Sequence, residues 1–249
     1  MVDPNQPRIT PCAQCPLRSR KALRDFTPDE LAFVQSFKSD EITITAGTSF
    51  LRQGTRNEHL FTVLSGWAFR YKMLDDGRRQ ILNYALPADM LGLQGALMNE
   101  MEHSVEALTP LVLCVFPRSK LWDLYSKLPS LAFDITWLAA REEQLIDEHL
   151  LSLGRRTALE RAAYLLLHLF ARAEEAGLVK NGSIQFPFTQ QHLADTLGMS
   201  LVHTNKTLKR LFVTKAIRWK DRQFEIVDRA ALAAIAGSEV PKHRPRPFI

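Results

Sequence analysis

The chain has 249 residues, 46% of them hydrophobic and 24% charged, which excludes a disordered polymer and suffices for one large domain or two small ones. No apolar run reaches the roughly 20 residues a membrane helix needs, and three cysteines are too few for a disulfide framework. The net charge of +5 is uneven: residues 1–149 carry 16 Lys+Arg against 19 Asp+Glu, net −3, and residues 150–249 carry 16 against 8, net +8.

A basic half beside a mildly acidic one is the footprint of a phosphate-binding domain joined to something else. The start, M-V-D-P-N-Q-P-R, lacks the apolar stretch of a secretory signal, so a cytoplasmic protein without membrane attachment is expected.

Taken in order, residues 1–26 read as a proline-marked arm. Thr27 to Phe37 reads as a short helix, with Pro28 in its first turn and Asp29 and Glu30 at its positive end. From Glu41 to Pro117 the apolar pattern has period two, in segments at Ile42 and Ile44, Phe50–Leu51, Leu60–Leu64, Trp67–Met73, Ile81–Leu86 and Val105–Phe116. Turn signals at Gly47, Gly54, Gly66, Asp75-Asp76-Gly77 and Pro87-Ala88-Asp89 separate them, which predicts an antiparallel barrel or roll. A long helix is expected from Leu131 to about Leu153, ended by Gly154, with Ile135, Leu138, Leu145 (or Ile146) and His149 near a heptad seam suited to pairing with its copy. A further helix covers Ala158 to Glu175, and Ile184 to Phe188 reads as a brief strand.

Thr189 to Leu211 then reads as two short helices about a tight turn at Gly198. Thr189 and Ser200 are N-caps, Leu193, Ala194 and Leu197 form one apolar stripe, and Leu201, Thr204, Leu208 and Leu211 the other. Val202, His203, Asn205, Lys206, Lys209 and Arg210 are left outward, the division a helix-turn-helix needs. Ile217–Lys220 and Phe224–Val227 flank Asp221-Arg222-Gln223 as a β-hairpin wing.

The predicted fold is therefore α+β: an N-terminal antiparallel β-roll over 27–128, a long dimerisation helix over 129–154, a winged helix-turn-helix over 155–237 and a disordered tail over 238–249. These pieces in this order resemble the Crp/Fnr family of bacterial transcription regulators, most specifically in Gly47, Gly54, Gly66, Gly77 and Gly92 and in the segment L-G-M-S-L-V-H-T-N-K-T-L-K-R-L. The resemblance implies a cyclic-nucleotide-binding-like roll, a homodimer on double-stranded DNA and contact with RNA polymerase.

It also implies sites to test residue by residue. Nucleotide-binding members follow the roll glycine with Glu and later carry Arg-Ser or Arg-Thr. Here the matching positions are Leu93 after Gly92, and His103-Ser104. Leucine cannot bond a ribose, and histidine replaces the bidentate guanidinium, so cyclic AMP in the usual mode is not expected. The oxygen-sensing branch uses four cysteines. Cys12, Cys15 and Cys114 match three of them and Lys21 stands at the other, leaving an iron–sulfur cluster, a thiol switch or merely structural thiols open. His59, His103 and His149 could ligate haem, but no signature marks them.

At the family's base-contacting positions stand Leu201, Val202, Asn205 and Lys206. Val202 can offer apolar contact to a thymine methyl, Asn205 can pair with adenine, and Lys206 can donate to guanine. Thr189, Ser200, Lys209 and Arg210 are placed for phosphates. Two rival readings are a ligand-binding module that docks to protein instead of DNA, and a thiol redox enzyme using Cys12 and Cys15. Nothing arranges a hydrolase site.

Overall fold

The computed structural model describes residues 9–241 and 245–249. Residues 1–8 of the expected arm and 242–244 of the expected tail lie outside the described residues. The chain forms two compact units: one holds residues up to Arg70, Tyr84–Arg141 and Pro245–Ile249, and the other holds Tyr71–Asn83 and Glu142 onward.

In the first unit, helix α1 (Pro28–Phe37) starts as expected. The Thr27 hydroxyl accepts from the Glu30 amide while Glu30 accepts from the Thr27 amide, a reciprocal capping box. Eight strands follow: β1 (Asp40–Ile44), β2 (Ser49–Leu51), β3 (His59–Ser65), β4 (Ala68–Met73), β5 (Arg79–Ala85), β6 (Met90–Leu91), β7 (Ser104–Ala107) and β8 (Leu111–Pro117). They form two four-stranded sheets in the orders β1-β8-β3-β6 and β2-β7-β4-β5, and the strand pairs whose register is defined are antiparallel. All five roll glycines take positive φ. Gly92 shows why: its φ is 87°, and a Cβ there would stand 2.7 Å from both the Asn57 Nδ2 and the His59 carbonyl oxygen.

Strand β8 explains the unbroken apolar run L-V-L-C-V-F. Leu111, Leu113 and Val115 face the roll interior with Phe61, Val63 and Val105. Cys114 and Phe116, on the opposite face, join a second core with Leu60, Phe37 and residues of later helices. A strand buried on both faces loses the polar half of its alternation. Two helices that the sequence analysis did not place, α2 (Leu93–Met98) and α3 (Leu121–Lys127), follow β6 and β8 in the chain.

Helix α4 (Pro129–Arg155) runs through Gly154, which was expected to end it. Two residues expected near the heptad seam, Ile135 and Leu138, are buried with Leu131 in the second core of the roll unit, and Leu145 and His149 are half-buried. The large apolar residues that α4 leaves exposed are Phe133, Leu150, Leu151 and Ile146, the last named as the alternative to Leu145. Its start is anchored by Asp134, ion-paired with Arg24, and Ser130, bonded to Glu30 at 2.6 Å. Burial would raise the Glu30 carboxyl, but Arg24, Ser130 and the Thr27 amide together hold it at about 2.

The tail departs most from expectation. Residues 245–249, predicted disordered, are built into the roll unit, with Arg246, Phe248 and Ile249 all buried. A Pro- and Arg-rich composition signals disorder only when no partner waits, and here partners far away in sequence supply both a buried counter-charge and an aromatic neighbour.

The second unit holds α5 (Ala158–Glu175), β9 (Ser183–Gln185), α6 (Gln190–Leu197), α7 (Leu201–Val213), β10 (Ile217–Lys220), β11 (Gln223–Ile226) and α8 (Arg229–Ala236). Its sheet has the order β10-β11-β9. An aromatic cluster ties strands to helix: Phe224 lies 4.7 Å from Phe186, 5.3 Å from Trp219 and 5.8 Å from Phe170 of α5. The tip of the β4–β5 hairpin belongs to this unit and grips α6. Arg79 pairs with Asp195 at 2.8 Å, and the Gln80 amide donates to the Thr196 carbonyl at 3.0 Å.

Candidate functional site

The site begins at two helix starts and one turn. The Thr189 hydroxyl accepts from the His192 amide at 3.2 Å, and the Thr189 amide donates to His192 Nδ1 at 3.1 Å. Histidine thus plays the part Glu usually plays in a capping box. That bond needs an unprotonated Nδ1, and burial together with nearby Arg79 pushes the His192 pKa down. Gly198 ends α6 at φ 61°, ψ 40°, and the Arg161 guanidinium donates to the Leu197 carbonyl at 2.6 Å. Ser200 then caps α7, accepting from the His203 amide at 3.2 Å. The turn between the helices is therefore fixed by three locally encoded bonds and one long-range arginine.

Helix α7 buries Thr204, Thr207, Leu208 and Leu211. Leu201, expected on that stripe, is 41% exposed, because the buried side is centred one turn further along and Thr207 takes its place. Directly opposite the buried side, at spacings of four, three and four, stand Val202, Lys206, Lys209 and Val213. All four are exposed, Val202 at 65% and Val213 at 80%. His203 and Arg210 flank this ridge on one side. Asn205 flanks it on the other and is only half-exposed. Its Oδ1 is buried without a hydrogen-bond partner among the described residues, so an adenine contact requires the amide to swing outward.

The wing adds cations that the sequence analysis did not single out. Asp221 and Arg222 both take positive φ at the β10–β11 turn, and Lys220 and Arg222 are exposed at its tip. Arg218 is held back by an ion pair with Glu225. The signal was present, since a basic residue stands on each side of Asp221.

In the roll, the three candidate effector positions each have a structural employment. Leu93 packs against the second core. His103 is buried and accepts at Nε2 from the Arg70 guanidinium at 3.0 Å, which fixes it as the tautomer protonated on Nδ1. The Ser104 hydroxyl accepts from the Gln53 amide at 3.0 Å. Arg70, buried in the roll, escaped the sequence analysis because its place in an alternating strand gives no hint of its partner. Of the remaining histidines, His149 is half-buried with burial pushing its pKa down, and His59 is exposed.

The three cysteines are brought together. Cys12 opens a short 3-10 turn (Cys12–Gln14), and Cys15 follows it. Cys114 lies on β8, opposite Glu41 of β1 and Thr62 of β3. Cys15 is within electrostatic range of both Cys12 and Cys114. Beside them is Lys38, whose ammonium donates to Glu41 at 2.8 Å and the Thr10 carbonyl at 2.9 Å and lies within electrostatic range of Cys114. Burial raises all three thiols, Cys114 to about 11, against the opposing pull of Lys38. A four-thiolate cluster needs four deprotonated sulfurs. This set offers three sulfurs around a buried ammonium, Lys21 is exposed, and no group of three or more metal ligands converges among the described residues. The residues present do not fit such a cluster.

A sensor-like β-roll joined to a winged helix-turn-helix defines a DNA-binding regulator. Residues 41–127 match the cyclic nucleotide-binding domain family and residues 160–235 the Crp-like helix-turn-helix domain family. The chain is 29% identical over 233 residues to the transcriptional activator protein FnrL of Cereibacter sphaeroides, covering 92% of each. It is 30% identical over 182 residues to the transcriptional activatory protein AadR of Rhodopseudomonas palustris, covering 73% of this chain and 74% of that one. The structure of FixK2 from Bradyrhizobium japonicum superposes with a TM-score of 0.72 at 25% identity, over 82% of this chain and 98% of that one. The chain belongs to the Crp/Fnr family and is a DNA-binding transcription regulator. Among the described residues, no helix is long and apolar enough to cross a membrane.

Proposed function

We propose that the protein is a cytoplasmic, non-catalytic homodimer that reads a two-fold-symmetric operator through α7 and acts on RNA polymerase. The observation that carries this is the outward ridge Val202–Lys206–Lys209–Val213, which sets two cations between two apolar side chains along the face of α7 opposite its buried side. Val202 and Lys206, near the helix start, read base edges. Lys209, Arg210, Thr189 and Ser200 hold phosphates, joined by Lys220 and Arg222 of the wing. His203 and Asn205 border the ridge and adjust specificity from its flanks. Dimerisation uses the exposed face of α4 that carries Phe133, Ile146, Leu150 and Leu151, because Ile135 and Leu138 are already spent on the roll core.

The roll does not take cyclic AMP in the usual mode. Leu93 offers no acceptor, His103 is engaged by Arg70 and Ser104 by a backbone amide. For the signal, the thiol group of Cys12, Cys15 and Cys114 supports a redox-responsive element better than an iron–sulfur cluster, because it offers three sulfurs and not four and has the Lys38 ammonium among them. The test is a DNA-shift titration with the Lys206→Ala/Lys209→Ala double variant beside the unaltered protein. Loss of binding with an unchanged melting curve is expected, and retained binding would overturn the assignment of α7.

A further inference from the structure

We propose that residues 245–249 form a removable lid over the Cys12–Cys114 thiols, so that docking of the chain's own Pro-Arg-Pro-Phe-Ile segment and attack on those thiols by small electrophiles exclude one another. This goes beyond the proposed function, and it holds whether or not the thiols carry a signal.

The lid is a built site with three anchors. Arg246 is buried, pairs with Asp89 at 3.0 Å and donates to the Ala88 and Pro87 carbonyls at 3.2 and 3.3 Å. The other oxygen of Asp89 accepts from the Leu86 amide at 2.8 Å, which fixes the carboxylate before the arginine arrives. The backbone of Arg246 bonds the arm in both directions: its amide donates to the Ala22 carbonyl at 3.0 Å, and its carbonyl accepts from the Arg24 amide at 2.9 Å. Phe248 lies 4.8 Å from Phe26. A buried cation held by a carboxylate and two carbonyls is far from an incidental contact.

The third anchor places the lid over the sulfur. The Thr62 hydroxyl donates to the Ile249 carbonyl, and Thr62 is the residue directly opposite Cys114 across the β3–β8 ladder. Directly opposed residues of an antiparallel pair project from the same face with side chains in contact. Ile249 therefore sits on the face from which Cys114 projects, with Lys38 and Glu41 on its other flank. Cys12, Cys114, Phe248 and Ile249 belong to one buried cluster, whereas Cys15 is only half-buried.

The experiment measures N-ethylmaleimide labelling of each cysteine by peptide mass spectrometry, in the full chain under native conditions. It compares the unaltered protein, Arg246→Ala, and a variant lacking residues 245–249. Cys114 and Cys12 should label at least about tenfold faster in both variants, while Cys15 changes little. Adding the synthetic pentapeptide Pro-Arg-Pro-Phe-Ile to the shortened variant should restore protection. Labelling Cys114 first should abolish binding of the fluorescent pentapeptide. Equal Cys114 rates in the unaltered protein and Arg246→Ala overturn the lid. So does a rise shared equally by Cys15, which marks general unfolding, and so does failure of the pentapeptide to protect a shortened variant that is folded. Should the shortened variant not fold, the Cys114-to-Cys15 rate ratio in Arg246→Ala decides alone.

Discussion

Replacing Lys209 by alanine separates holding DNA from reading it. Lys209 is exposed on the outward ridge of α7 and makes no ion pair among the described residues, so its whole charge is available to a phosphate. Each phosphate neutralised contributes about 0.9 to the slope of log K against log salt. A dimer losing Lys209 from both copies should therefore lose about 1.8 from that slope. Between 50 and 200 mM salt, a fourfold range, the affinity ratio of unaltered protein to variant should shrink about 12-fold. Val202→Ala, two positions into the same helix, removes only apolar contact. It should leave the slope alone and cost about 1–2 kcal/mol at one base pair per half-site. Fluorescence-anisotropy titrations of both variants at four salt concentrations, on matched and mismatched duplexes, make the comparison. An unchanged slope for Lys209→Ala, or a sequence-independent loss for Val202→Ala, would refute the division.

The pH response of α6 follows from His192. Its folded pKa lies below the ordinary value of 6.5, so the unfolded state binds the extra proton first and the stability that His192 contributes is lost as pH falls through about 6.5 and below. His192→Glu restores an ordinary capping box and should flatten amide-exchange protection of α6 between pH 7.5 and 5.5, where the unaltered helix loosens. Gly92→Ala puts a Cβ against the Asn57 amide and the His59 carbonyl at positive φ, and should destabilise the roll by about 1–3 kcal/mol in thermal melts. Ile146→Asp/Leu150→Asp should shift the sedimentation coefficient from dimer to monomer, whereas Ile135→Asp should unfold the roll instead.

The parts of the fold that local chemistry dictates were legible in the sequence. Thr189 and Ser200 cap the helices they were expected to cap, and the roll turns fall at the glycines named for them. Helix α8 was equally available, with Asp228 accepting from Ala231 at its start and Gly237 in the left-handed conformation at its end, but its run R-A-A-L-A-A-I-A has no polar residue after Arg229 to mark an outer face. What was illegible depended on partners distant in sequence. Ile135 and Leu138 show helical spacing that suits a dimer seam and a core contact equally, and only the second core of the roll decides between them. Arg246 sits in a composition typical of disorder, and its counter-ion Asp89 is on a turn between strands of the roll. Lys38 follows a helix without any motif, yet it stands beside the thiol group. On α7, Val202, His203, Lys206, Lys209 and Arg210 are exposed as expected, whereas Asn205 is half-buried and the exposed Val213 was not singled out, because both depend on where the buried stripe of α7 is centred.

The measurement that bears most directly on the central claim is selection of bound duplexes from a random-sequence pool, followed by footprinting on the enriched site. The account predicts one enriched sequence with two-fold symmetry, its half-sites about 10 base pairs apart from centre to centre, protected on both halves and lost together in Lys206→Ala/Lys209→Ala. Uniform retention of the pool without an enriched sequence, or a single unsymmetric protected half, would contradict it.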